Sequence, residues 1–115
     1  MNFQNWKTQL RKGLLELCVL NCLNKQPYHG YDLVQALKKI DVLQMREVTV
    51  YPILARLGEE GLVVSVMERS SSGPPRKVFR ITTAGQSVVA GMNKHWVDIV
   101  KAVRISQNGY EGENE

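Results

Sequence analysis

The sequence has few of the residues that would mark an enzyme, a disulfide-stapled domain or a membrane protein. It contains two cysteines and two histidines among 115 residues. His29 and His95 form no recognisable ligand pair with the cysteines, and zinc would need more ligands, so no metal site is expected. No nucleophile has a nearby base and no glycine loop could cradle a phosphate, which argues against catalysis and against a bound cofactor. The longest apolar run, Leu14 to Leu23, is broken by Glu16 and Asn21 and falls short of the roughly 18 to 20 residues of a membrane span. The N-terminus shows no basic segment followed by an apolar stretch and a cleavage site. These absences lead us to expect a soluble, cytoplasmic, non-enzymatic protein. Cys18 and Cys22 lie four residues apart on one expected buried helix, where a disulfide is geometrically poor; packing in the core is favoured over a thiol switch.

What the sequence does contain is positive charge. Fifteen Lys and Arg face eleven Asp and Glu, a net charge of +4. Three of the acids, Glu111, Glu113 and Glu115, sit in a Gly- and Asn-containing tail, so in the body 15 cations face 8 acids, a net +7. That balance is compatible with a nucleic-acid partner. The length suits one domain with one core.

Apolar periodicity outlines the elements. Trp6, Leu10, Leu14, Leu17 and Cys18 keep helical spacing in a first helix expected over Asn5 to Asn24, its second half buried on nearly all sides. Lys7, Arg11 and Lys12 make its first half either a solvated charged face or one that approaches phosphates. Pro27 ends it. A second helix is expected from His29 to Ile40, with Leu33, Leu37 and Ile40 inward; His29 reads as a capping or packing residue, with no carboxylate partner identifiable nearby.

The third helix is expected to begin between Glu47 and Thr49 and to bury Val50, Ile53, Leu54 and Leu57, with Gly61 as its stop. An earlier start, with Pro52 kinking the helix, is preferred to Thr49 as the cap. The opposite face holds Val48, Pro52, Ala55 and Glu59, with Tyr51 and Arg56 beside it. Short, mostly uncharged side chains there suit entry into a groove, where Val or Ala can touch a thymine methyl. Leu62–Glu68 and Lys77–Thr82 alternate as two antiparallel strands, joined by a loop from Arg69 to Arg76 that is longer than a two-residue turn. Arg69, Arg76, Lys77 and Arg80 bring four cations to this hairpin.

Thr82 or Thr83 is expected to cap a last helix, with Thr83 and Gln86 in capping-box spacing. Val88, Val89, Met92, Trp96, Ile99, Val100 and Val103 form its apolar stripe to about Ile105. The stripe exceeds what one small core can cover, so it is expected to face a second copy; the alternative is packing on the first helix of its own chain. The layout is thus a winged helix-turn-helix over 1–82, a dimerisation helix over 83–106 and an acidic, disordered tail over 107–115. The fold class is mainly α with a small β-hairpin.

Several segments in register resemble the PadR-like transcriptional regulators. They are Leu10-Arg11-Lys12-Gly13-Leu14-Leu15-Glu16-Leu17, His29-Gly30-Tyr31-Asp32-Leu33, Thr49-Val50-Tyr51-Pro52-Ile53-Leu54-Ala55-Arg56-Leu57, Glu60-Gly61-Leu62-Val63, and Gly73-Pro74-Pro75-Arg76-Lys77 running on to Gly85. The single helix after the wing resembles the short subfamily. The resemblance implies a homodimeric winged-helix protein on double-stranded DNA, usually a repressor, acting on a pseudo-palindromic operator. On that reading Val48, Thr49, Tyr51, Pro52, Arg56, Arg69, Arg76 and Lys77 are the expected DNA contacts. The first and last helices build the implied dimer interface, through Trp6, Leu10, Leu14, Met92, Trp96, Ile99, Val100 and Val103. A small aromatic or amphipathic effector is implied near Trp96 and Met92. Two departures stand out: Gly58 replaces a more usual acidic residue, and Val42 to Glu47 lack the usual Ser-Pro start of the third helix. A winged-helix module that binds only protein is the alternative, against which the basic wing argues.

Overall fold

The computed structural model describes residues 1–109. Asn2 opens helix α1 (Phe3–Lys25) by accepting the Gln4 N–H at 2.8 Å, two residues before the expected start. Its second half buries Leu17, Val19, Leu20 and Leu23, as the all-round apolar run demanded. Gln26 and Pro27 then turn the chain into a two-residue strand β1 (Tyr28–His29), which the apolar pattern does not announce. Helix α2 (Gly30–Lys38) follows with Leu33, Val34 and Leu37 inside. It stops short of Ile40, which is 45% exposed rather than inward. The chain leaves the helical path at Ile40, with ψ 86°, and passes through a 3-10 turn at Asp41–Leu43.

Helix α3 (Glu47–Glu59) adopts the earlier start, so Pro52 lies inside it and Thr49 is not its cap. Val50, Ile53, Leu54 and Leu57 are all buried. Gly61 adopts φ +76°, the left-handed conformation that ends helices. The Leu62 N–H reaches back to the Leu57 carbonyl at 2.9 Å and the Gly61 N–H to that of Gly58 at 3.1 Å, a Schellman closure.

Strands β2 (Val63–Ser70) and β3 (Gly73–Ile81) form the hairpin, and the sheet order is β1-β3-β2, all antiparallel. The expected long loop is instead a turn at Ser71 and Ser72. Both strands run further than the alternation suggested because the register slips between Glu68↔Arg76 and Ser70↔Gly73, setting Pro74 and Pro75 opposite Arg69. A bulge is where a strand can absorb prolines. β1 pairs only with Val78 and Phe79, so the other edge of β3 at the prolines meets no strand that needs their missing N–H.

Helix α4 (Thr83–Asn108) is capped by Thr82, not Thr83. The Thr82 hydroxyl accepts the Gly85 N–H at 3.0 Å and donates to the Gly61 carbonyl at 2.7 Å, which welds the start of α4 to the end of α3. The helix continues three residues past the expected Ile105, so 107 and 108 are helical; the remainder of the expected tail, 110–115, lies outside the described residues. Leu17, Leu20, Leu33, Leu37, Leu54, Leu57, Val63, Phe79 and Val89 share one core drawn from all four helices and the sheet. Cys18 and Cys22 are half-buried free thiols packed against it; burial raises both above the ordinary thiol range, so neither is a ready thiolate.

Candidate nucleic-acid interface

Helix α3 presents the outward face that the sequence pattern anticipated. Val48, Tyr51, Pro52, Ala55 and Arg56 are exposed and Thr49 is half-buried at the margin. Val48 is 71% exposed, a valine in the first turn with no share in the core. The start of the helix has no side-chain cap: Arg46 occupies the capping position and makes no such bond. The same holds for His29 before α2. By contrast α1 and α4 are capped by Asn2 and Thr82. Uncapped helix starts leave backbone N–H donors available to an anion.

Basic side chains flank the α3 face on both sides. Beyond Tyr51, a cleft is lined by His29, Gly30, Tyr31, Tyr51, Arg76, Lys77 and Phe79, which joins the start of α2 to the middle of β3. Gly30 lets Tyr51 approach closely, because a Cβ on it would sit 2.9 Å from the Tyr51 ring and hydroxyl and 3.3 Å from Phe79, and Tyr51 would have to shift. The Tyr51 ring therefore lies against the α2 backbone, with its hydroxyl at the cleft. Asp32 links the parts electrostatically: its Oδ2 lies 3.5 Å from His29 Nδ1 and 4.0 Å from the Arg76 guanidinium. The expectation that His29 has no carboxylate nearby is thereby corrected; the partner is one helical turn away, at i+3.

Beyond Thr49, a second cleft is lined by Arg11, Lys12, Gln44, Arg46 and Thr49 among others. The basic first half of α1 thus stands beside the start of α3. Arg46 went unnoticed in the sequence, where a lone Arg between an apolar turn and a helix carries no signal. Arg69 lies at the bulge near the hairpin tip, and Arg80 stands opposite Val64, nearer the hairpin base. Arg56 is the one expected contact with a partner in its own chain on the α1 side, since its guanidinium pairs with the Glu16 carboxylate. That pair ties α3 to α1 while leaving the Arg56 side chain half exposed.

The second set of expected residues gathers elsewhere. Leu10, Leu14, Met92, Trp96 and Ile99 line an apolar groove of about 560 Å³ between α1 and α4, together with Leu17, His95 and two glycines. Trp6, Val100 and Val103 are not among its lining residues; Trp6 and Val103 are about half exposed and Val100 is partly covered. Trp6 stacks on Phe3, with Lys7 over the Phe3 ring. α4 does pack on α1 of its own chain where Asn21 and Asn93 exchange amide hydrogen bonds of 3.1 and 2.8 Å. Trp96, Val97, Ile99 and Val103 nevertheless stay exposed. Among the described residues no three or more His, Cys, Asp or Glu side chains are grouped to hold a metal, and no helix is long and apolar enough to cross a membrane.

A family model for the PadR-like transcriptional regulators matches residues 19–91, from the buried half of α1 through the wing and into α4. The chain belongs to the PadR-like family of transcriptional regulators. It is similar to the solved structure of a PadR family transcriptional regulator from Eggerthella lenta, with 30% identity, 91% of each chain covered and a TM-score of 0.80. A PadR-like transcriptional regulator from Bacillus cereus is 31% identical over 88% of this chain and 98% of its own, with a TM-score of 0.79. A Streptococcus transcriptional regulator is 33% identical over 87% and 98%, with a TM-score of 0.78. This PadR-like protein is therefore a winged-helix, DNA-binding transcriptional regulator and not an enzyme.

Proposed function

We propose that this PadR-like regulator acts in the cytoplasm as a homodimeric repressor on a pseudo-palindromic operator, relieved by a small aromatic or amphipathic effector. The observation that carries the DNA-contact part is the uncapped start of α3, with an outward face uncharged at Val48, Pro52 and Ala55, standing between two basic clefts. Val48, Thr49, Tyr51 and Pro52 enter the major groove, while Arg76 and Lys77 on one side reach backbone phosphates. Arg69, at the hairpin tip, extends that reach along the duplex. Arg56 stands at the rim, shared between Glu16 and DNA.

Replacing Arg76 and Lys77 together by Ala is expected to weaken binding to specific and scrambled duplexes alike. The plot of log affinity against log salt should become shallower by about one for each phosphate that is no longer neutralised, about two in all. Fluorescence anisotropy across a salt series measures this, and an unchanged slope would take both residues off the phosphates.

The dimer is the reading that best accounts for the second half of α4, where Trp96, Ile99 and Val103 stay exposed although they continue the face that packs on α1 at Val89 and Asn93. In it Trp6, Leu10, Leu14, Met92 and Val100 join those three in facing the second copy. The apolar groove beside Met92 and Trp96 favours an effector at the same place. Such a ligand acts only by binding one dimer conformation more tightly than the other. A planar aromatic ligand is expected to quench tryptophan fluorescence, and the quenching should vanish in Trp96→Ala, which retains Trp6. Quenching that survives the substitution would place the ligand elsewhere.

A further inference from the structure

The centre of the first two turns of the outward face of α3 carries nothing that can hydrogen-bond to a base. Between Thr49 and Arg56 on one margin and Tyr51 on the other, its central positions are Val48, Pro52 and Ala55, all exposed. The acid on the same face, Glu59, is eleven residues from Val48, about 16 Å along the axis. Val48 has its isopropyl group 71% in water. That exposure stabilises nothing in the isolated fold, and valine is a mediocre helix former.

Base edges in the major groove are read by Arg or Lys on guanine, Asn or Gln on adenine, Asp or Glu on cytosine, or by apolar contact with the thymine methyl. Val48, Pro52 and Ala55 are chemically capable of the last alone. Their setting fits a groove in cross-section: an apolar ridge with Arg11, Lys12 and Arg46 beyond Thr49, and Arg76 and Lys77 beyond Tyr51. A major groove about 12 Å wide has the complementary profile, with phosphates on both rims and base edges on its floor.

We infer that α3 reads its operator through thymine methyl groups, with Val48 as the specificity-determining residue, so that each half-site presents thymines to the middle of the groove. This rests on the DNA-binding mode proposed above and adds the class of sequence that the protein selects. The cations supply affinity without sequence preference, and the ridge supplies the choice.

The test begins with duplexes selected by the full chain from a random-sequence pool. In the tightest duplex, each thymine of a half-site is replaced in turn by deoxyuridine, which deletes the methyl group and keeps every hydrogen-bonding atom. Each methyl that is read should cost about fourfold in affinity, the ratio for one buried methyl group. Val48→Ala changes a surface residue, so the fold should tolerate it. It should bind more weakly and lose the deoxyuridine response at one thymine per half-site, keeping the others. Indifference to deoxyuridine at every position overturns the inference while the selected duplex still upholds DNA binding. A Val48→Ala profile identical to that of the parent protein removes Val48 as the reader. A pool that yields no enriched duplex overturns the operator-binding reading and this inference together.

Discussion

A Trp96→Asp variant is expected to run as a monomer and to bind its operator about 100-fold more weakly, or worse. Trp96 is 38% exposed in the isolated chain, and Ile99 and Val103 continue its stripe along a part of α4 that its own chain leaves bare. A carboxylate in the centre of an apolar contact between copies would be buried without a partner, which costs several kcal/mol. Without the dimer, two linked half-site contacts become one, and linked contacts differ from single ones by roughly 10² to 10⁴ in affinity. Because Trp96 is partly exposed in the monomer, far-ultraviolet circular dichroism should change little, while binding of scrambled DNA should weaken too, since a monomer neutralises fewer phosphates. Sedimentation velocity separates the outcomes: a variant that stays dimeric would move the interface away from α4.

Among the glycines of the described residues, Gly85→Ala is expected to be the most damaging substitution by alanine. A Cβ at Gly85 would run into the Leu62 backbone carbonyl oxygen and would lie 2.6 Å from Ile81 Cγ1. The carbonyl cannot step aside cheaply, because the same oxygen accepts the Thr82 N–H at 3.0 Å, next to the cap that joins α4 to α3. Overpacking against fixed backbone should cost on the order of 3 kcal/mol and lower Tm by at least about 10 °C. Gly58→Ala is the informative comparison. A Cβ there would meet the Val63 carbonyl at 3.8 Å, an ordinary van der Waals contact, so the better helix former should be accommodated with a gain of up to about 1 kcal/mol. Equal Tm values for the two variants would refute the claim that the α3–α4 junction depends on a bare glycine.

How much of this was legible in the sequence depended on whether the signal was local. The inward stripe Val50, Ile53, Leu54 and Leu57 and the stop at Gly61 were readable because helical period and the left-handed preference of glycine act within a few residues. Ile40 reads as inward because its spacing from Leu33 and Leu37 continues the period, although α2 ends at Lys38 and Ile40 itself has left the helical conformation. Strand β1 is invisible because two residues carry no alternation; Tyr28 and His29 are extended only because Phe79 and Val78 of a distant strand pair with them. The wing loop looks longer than it is because Ser, Gly and Pro suggest irregular chain, whereas a bulge absorbs both prolines into β3. At the last helix, Thr83 and Gln86 have the spacing of a capping box, but Thr82 wins because its hydroxyl also reaches the Gly61 carbonyl.

By itself, then, the sequence determined the order helix, helix, helix, wing, helix, most of the core-facing residues, and the excess of apolar surface on α4. Each of these follows from period, caps and charge within a short window. Only the tertiary structure decided that Arg56 turns to Glu16, that Tyr51 lies on Gly30, and that Asp32 stands between His29 and Arg76. It alone set basic residues of α1 and of the wing on opposite sides of one mostly uncharged helix face. The physical reason is that periodicity tells which face of an element is apolar but not which other element will cover or flank it. That pairing comes from packing all the apolar faces into one core at once, and the polar faces are carried into place by it.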